Sequence, residues 1–213
     1  MEKLIEKYFP SLDPQQKELL TKMIPLYKEW NRKINVISRK DMDNIHIHHI
    51  LHSMSIALHT HFQKGSTVLD VGTGGGFPGI PLSVLFPETH FYLCDSRSKK
   101  IHVVEEIAKQ LGLDNVTAIH SRAEDIDMKF DFVVSRAVTE LSNFIPWIWD
   151  KINLPENQRP TGIIYLKGGD LSDEIAKAST TCGIKPDKFS TVNISQWFEE
   201  DWFQSKHILF IKR

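Results

Sequence analysis

Along the first part of the chain apolar residues recur at three- and four-residue intervals, the period of helices with one buried face. Leu4, Ile5, Tyr8 and Phe9 mark a short helix. Leu19, Leu20, Met23, Ile24, Tyr27 and Trp30 mark a longer one starting at Pro14, where the missing N–H of proline costs little. Ser38 to Asp43 carries cap and turn residues, and a third helix is expected through Ile47, Ile50, Leu51, Met54, Ile56, Ala57 and Leu58. From Ser66 the pattern shortens into β-rich runs. Thr67–Val71, Phe91–Asp95, Val116–Ile119, Phe130–Ser135 and Gly162–Lys167 predict strands, with helical stretches between them, notably Ser98–Leu111. Such alternation predicts a parallel sheet covered on both faces. Phe189–Ile194 and His207–Lys212 lack a helix-length segment between them and predict an antiparallel hairpin. The pattern as a whole is α/β: a mostly parallel twisted sheet over residues 63–213 ending in an antiparallel hairpin, with a helical extension over 1–62 packed on it as one unit.

Composition narrows the class. A chain of 213 residues with 41% hydrophobic and 25% charged residues suits one globular unit. No apolar run approaches the roughly 20 residues needed to cross a bilayer, and Met1–Lys7 alternates charge with apolar residues unlike a secretory leader. Cys94 and Cys182 are too few for a disulfide framework or zinc site and read as reduced core thiols. A cytoplasmic protein without membrane association is expected. The net charge of −1 argues against a non-specific nucleic-acid coat but leaves room for a local basic face.

The chemistry concentrates in Asp70-Val71-Gly72-Thr73-Gly74-Gly75-Gly76-Phe77-Pro78-Gly79. A strand turns there into a helix, and glycines permit positive φ and close approach of backbone to a ligand. Gly74, Gly76 and Gly79 also satisfy the dinucleotide spacing G-x-G-x-x-G. Asp70 separates the two readings, because a carboxylate at the end of the strand disfavours a pyrophosphate and suits a cationic sulfonium amino acid. A mere tight turn would not need so many glycines. Asp95, closing the second run, stands where a carboxylate accepts from ribose hydroxyls, or else caps the following helix. Ala123 and Glu124 follow the third run, from which a loop can grip an adenine edge or simply start a helix.

Asp70–Leu82, Cys94-Asp95-Ser96 with Lys99-Lys100, Ser121-Arg122-Ala123-Glu124, Ser135-Arg136-Ala137 and Leu166-Lys167-Gly168 occur in order. Together they resemble the glucose-inhibited division protein B (RsmG) family of small-subunit ribosomal RNA guanine-N7 methyltransferases. Trp30-Asn31 with Asn35, and His49–Met54, are similar to that family's W-N-x-x-x-N and H-x-L-D-S-L elements, although His52 stands where the family has aspartate and Asn35–Ser38 departs from its N-L-T. The resemblance implies a Rossmann-like class I methyltransferase fold, S-adenosylmethionine as cofactor, and 16S ribosomal RNA or a ribosomal particle as partner. It maps cofactor contacts onto Gly72, Phe77, Ala123, Glu124 and Arg136. Asp70, Gly74, Gly76 and Asp95 complete the expected cofactor set.

Guanine N7 carries an in-plane lone pair, so its methylation needs alignment rather than a base. The fourth run ends without the D/N-P-P-Y motif of exocyclic-amine methyltransferases. Arg136 is the candidate positioning residue, holding the methionine carboxylate or guanine O6, against a surface salt bridge as the plain alternative. Arg32, Lys33, Arg97, Lys99, Lys100, Arg122 and Lys167, with Arg39 and Lys40, are candidate RNA contacts. Lys99 and Lys100 are expected to act as an RNA patch independent of the cofactor. Trp30 or Phe77 offers a face for a splayed base, although Trp30 at helical spacing reads as core. His46–His52 invites a metal reading, with His48 and His52 on one helix face, but lacks a carboxylate at ligand spacing; it reads as a polar face toward RNA or solvent, and no metal is expected. Two other functions stay open: the same core acting on a small molecule or protein, and an RNA-binding domain with a vestigial cofactor pocket. A monomer is the expected state.

Overall fold

The computed structural model describes residues 1–155 and 159–213. Helix α1 spans Glu2–Tyr8 and α2 spans Pro14–Lys33. Asp13 caps α2 in a reciprocal box with Gln16: the Gln16 N–H donates to Asp13 Oδ1 (2.8 Å), and the Asp13 N–H donates to Gln16 Oε1. The Gln16 amide also donates to the Val84 and Leu85 carbonyls, so the cap ties this helix to the one that follows the glycine run. The third predicted helix is not regular. Ile45–Leu51 forms a π-helical stretch that runs into α3, His52–His59.

Strand β1, Thr67–Val71, is followed by α4, Gly79–Leu85, with Pro78 at its cap and Pro81 in its first turn. Then come β2 (His90–Asp95), α5 (Ser98–Leu111) and β3 (Val116–His120). Next are β4 (Phe132–Arg136), α6 (Leu141–Ile148), β5 (Gly162–Gly168) and α7 (Ser172–Cys182). Strands β6 (Phe189–Asn193) and β7 (Lys206–Lys212) close the chain. The fourth strand begins later than its apolar run because Phe130 bridges Ile152 instead, and it carries Arg136 as its last residue.

The seven strands form one sheet in the order β3-β2-β1-β4-β5-β7-β6. β1 pairs parallel with β2 and β4, β4 with β5, and β2 with β3, while β7 runs antiparallel to both β5 and β6. Alternate strand residues feed two cores. Val68, Phe91, Leu93, Phe132 and Val134 face α1–α5, and Leu69, Val71, Val133, Ile163 and Tyr165 face α6 and α7. The N-terminal helices therefore bury their apolar faces in the same layer as α4 and α5. Among the described residues no helix is long and apolar enough to cross a membrane.

Candidate active site

The direction in which strands are added reverses between β1 and β4, and the loops leaving these two strands part at their carboxyl ends, where α/β sheets bind ligands. The resulting cleft holds about 880 Å³, near the top of the roughly 300–1,000 Å³ range of small-ligand pockets.

Its floor is the glycine bend. Gly72, Gly74 and Gly76 have φ of 66°, 61° and 99°, a region closed to most side chains. Thr73 Oγ1 and the Gly79 N–H both donate to Asp70 Oδ2, at 2.6 and 2.8 Å, which cinches strand to helix. Asp70 is fully buried, and burial pushes its carboxyl up to about 7. Its Oδ1 has no hydrogen-bond partner. Asp70 does not line the cleft, and neither does Gly76, where a Cβ would lie 2.6 Å from Ile80 and 3.0 Å from the Tyr27 hydroxyl. Both shape the bend from beneath the cleft lining.

Gly72, Gly74, Phe77, Asp95, Ala123, Glu124 and Arg136 do line the cleft. Asp95 accepts from the Gly74 N–H (3.1 Å) through Oδ2 and from the Arg97 N–H (2.9 Å) through Oδ1. It thus holds the turn that precedes α5, whose N-cap is Arg97 with no side-chain cap bond, and each carboxylate oxygen retains acceptor capacity. Ala123 is buried in a single 3₁₀ turn and Glu124 is exposed beside it. A carboxylate suited to a diol, glycines that admit close approach, and an unpartnered buried Asp70 oxygen beneath them fit a cationic sulfonium nucleoside. Cys94, behind the bend, is buried, and its thiol is pushed up to about 12.

The helical extension builds the opposite wall. Tyr27 donates to the Gly75 carbonyl (2.6 Å) and packs on Phe77, ring centroids 4.7 Å apart. Asn31 clips the turn after α2, accepting from Val36 and Ile37 N–H and donating to the Ile37 carbonyl, and this sets Val36 against Gly75. Phe77 is only 3% exposed and sits among Tyr27, His49 and Arg136. So enclosed, it presents little of its ring to a splayed base. Trp30 packs edge-on to His102 and lies outside the cleft.

Arg136 is no surface ion pair. It donates from Nη1 to the His48 carbonyl and from Nη2 to His49 Nδ1, each at 2.8 Å, with no carboxylate paired to it among the described residues. Burial lowers it to about 10, which leaves it charged at neutral pH. The histidine cluster is cleft wall rather than a face toward solvent. Asp41 meets both His48 Nδ1 and His49 Nε2 at 2.5 Å. His52 is 4% exposed with neither ring nitrogen partnered. No metal-binding group of three such residues occurs among the described residues.

The basic candidates divide. Arg97, Lys100 and Arg122 line the cleft at its cofactor end. Lys100 Nζ stands 3.6 Å from Asp95 inside the cleft, whereas the exposed Lys99 lies outside it, so the two neighbours do not share one surface. Lys167 lines the cleft too, but it is engaged by Glu174 (2.6 Å) and the Thr139 carbonyl (2.9 Å), its side chain 12% exposed. Arg32, Lys33, Arg39 and Lys40 do not line the cleft, and Lys33 pairs with Glu29. Asp41, Val138, Trp202 and Lys206 line it without having been singled out in the sequence. Asp41 lies in an irregular turn, and Trp202 and Lys206 reach the cleft only through the antiparallel hairpin, so no local spacing marks them.

The family model for rRNA small subunit methyltransferase G matches residues 16–200. Ribosomal RNA small subunit methyltransferase G of Christiangramia forsetii is 48% identical over 98% of this chain and 95% of its own length. The protein of the same name from Flavobacterium johnsoniae is 49% identical over 97% of this chain and 96% of its own. Among solved structures, a SAM-dependent methyltransferase from Aquifex aeolicus superposes with a TM-score of 0.55 at 17% identity, over 75% of this chain and 88% of that one, a likeness of fold.

Proposed function

The chain belongs to the rRNA small subunit methyltransferase G family, and we propose that it transfers a methyl group from S-adenosylmethionine to N7 of a guanine in 16S ribosomal RNA. The observation that carries this is the pairing of the Gly72–Gly74 bend with Asp95 on one side of the cleft and the restrained Arg136 on the other. Asp95 would hold the ribose hydroxyls, Ala123 and Glu124 the adenine edge, and the bend the methionine end. When bound, S-adenosylmethionine supplies an electrophilic methyl on a cationic sulfur.

The chain's own residues have no proton to remove, since N7 already presents a lone pair. Their task is alignment and exclusion of water. Arg136 keeps N–H donors beyond its two bonds for the methionine carboxylate or guanine O6. Ser135 is turned inward, donating to the Val71 carbonyl (2.8 Å), and does not serve as a base. Basic Arg97, Arg122 and Lys206 at the mouth suit RNA phosphates. The acceptor is RNA, free or within a ribosomal particle, and the proposed state is a cytoplasmic monomer.

Calorimetric titration with S-adenosylmethionine, followed by methyl transfer to 16S RNA lacking the modification, tests the reading. Donor binding with transfer to RNA supports it. Binding with no transfer to RNA points to another acceptor, and no binding at all removes the enzymatic role.

A further inference from the structure

We propose that His49 is the positioning residue that aims Arg136 across the cleft, a reading that rests on the methyl-transfer function above. Arg136 Nη2 lies 2.8 Å from His49 Nδ1. A guanidinium only donates, so Nδ1 is the unprotonated nitrogen and the ring proton sits on Nε2. That N–H faces Asp41 Oδ2 at 2.5 Å. Carboxylate, imidazole and guanidinium therefore form one directed chain from the turn after α2 to the end of β4.

The choice of partner has an electrostatic consequence. A carboxylate against Arg136 would orient it and cancel its charge. A neutral imidazole orients it and leaves the charge for a ligand. Burial of His49, with Arg136 beside it, lowers its pKa to about 4, in keeping with that neutral state. The backbone bears independent witness. Side chains of consecutive residues on an α-helix diverge by about 100°, yet His48 and His49 both reach Asp41, and they do so within the π-helical stretch Ile45–Leu51. Such local widening of a helix recurs at functional sites. Phe77 packs against both members of the pair, 5.4 Å from the guanidinium carbon and 5.2 Å from the His49 ring.

The test uses the full chain and two variants. His49→Phe removes both ring nitrogens, and His49→Asn restores an acceptor near the position of Nδ1. Donor affinity by calorimetry, the single-turnover methylation rate and the melting temperature are measured for each. The expected result is a loss of about tenfold to a hundredfold in donor affinity or in rate for His49→Phe, the size of effect that small misplacement of an active-site group produces. His49→Asn is expected to recover most of that loss whatever the two melting temperatures. Nitrogen-15 NMR of the wild-type protein should show the His49 proton on Nε2. Wild-type affinity and rate in His49→Phe, equal losses in both variants, or a proton on Nδ1 would each overturn the proposal. A wild-type protein that makes no N7-methylguanine would refute the proposed function instead, while donor affinity and the tautomer still decide the role of His49.

Discussion

The Tyr27 hydroxyl donates to the Gly75 carbonyl across 2.6 Å, joining the helical extension to the glycine bend at a fully buried point. The extension is therefore part of the cofactor pocket. Tyr27→Phe leaves the Gly75 carbonyl without its partner, a loss of about 1–3 kcal/mol for a buried group. We expect a lower melting temperature and weaker donor binding, with the sheet intact by circular dichroism. Unchanged donor affinity would show that the bend holds its shape without α2.

Asp70 predicts a pH dependence. Burial raises its carboxyl from the ordinary 3.8 to about 7. Between those values the folded chain holds a proton that the unfolded chain has released, so this group's contribution to stability declines as pH rises from about 4 to 7. Donor binding has the opposite slope, because a cationic sulfonium favours ionised Asp70. Affinity should rise about fivefold between pH 6 and 8 if binding lowers that carboxyl by roughly one unit. Calorimetry across that range checks it, and Asp70→Asn should flatten the profile.

Two glycines of the bend should behave differently when replaced by alanine. At Gly76 a Cβ meets Ile80 at 2.6 Å and φ is 99°, whereas at Gly74 the nearest neighbour is Lys100 Nζ at 3.8 Å and φ is 61°. Gly76→Ala is expected to destabilise the fold by several kcal/mol, on the order of other strained or overpacked core substitutions. Gly74→Ala should cost about 1 kcal/mol and act chiefly on donor affinity. Chemical denaturation of both, followed by calorimetry on the folded variant, separates the two effects.

The strands were legible because each is a short apolar run with a defined end, and the hairpin because nothing of helix length separates its strands. The glycine bend and Asp95 were legible because their chemistry lies within a few consecutive residues. The rest of the site was not. Asp41 has no marked partner in sequence, and the two histidines that meet it do so within a π-helical stretch that no sequence period announces. Charge alone does not show how Lys100 and Lys167 are held, since that depends on the carboxylate the fold brings to each, Asp95 in one case and Glu174 in the other. Phe77 was read as available because the sequence does not show that Tyr27 and Arg136 crowd it.

The neighbouring lysines give a direct contrast. Lys99→Glu alters an exposed residue outside the cleft and should leave donor affinity within about twofold, as surface charges usually do. Lys100→Glu sets a second carboxylate beside Asp95 and should weaken donor binding severalfold, most at low salt. Calorimetry at two salt concentrations reads both. Equal effects would return Lys100 to the surface.

The central claim is that this cleft carries a methyl group to a purine ring nitrogen of small-subunit RNA. Its most direct measurement is mass-spectrometric mapping of 16S RNA lacking the modification after incubation with the protein and isotopically labelled S-adenosylmethionine. One labelled methyl is expected at N7 of a single guanine, with strand scission there after reduction. Label at an exocyclic amine, at a ribose hydroxyl or on protein, or bound donor with 16S RNA left unlabelled both free and in small-subunit particles, would contradict it.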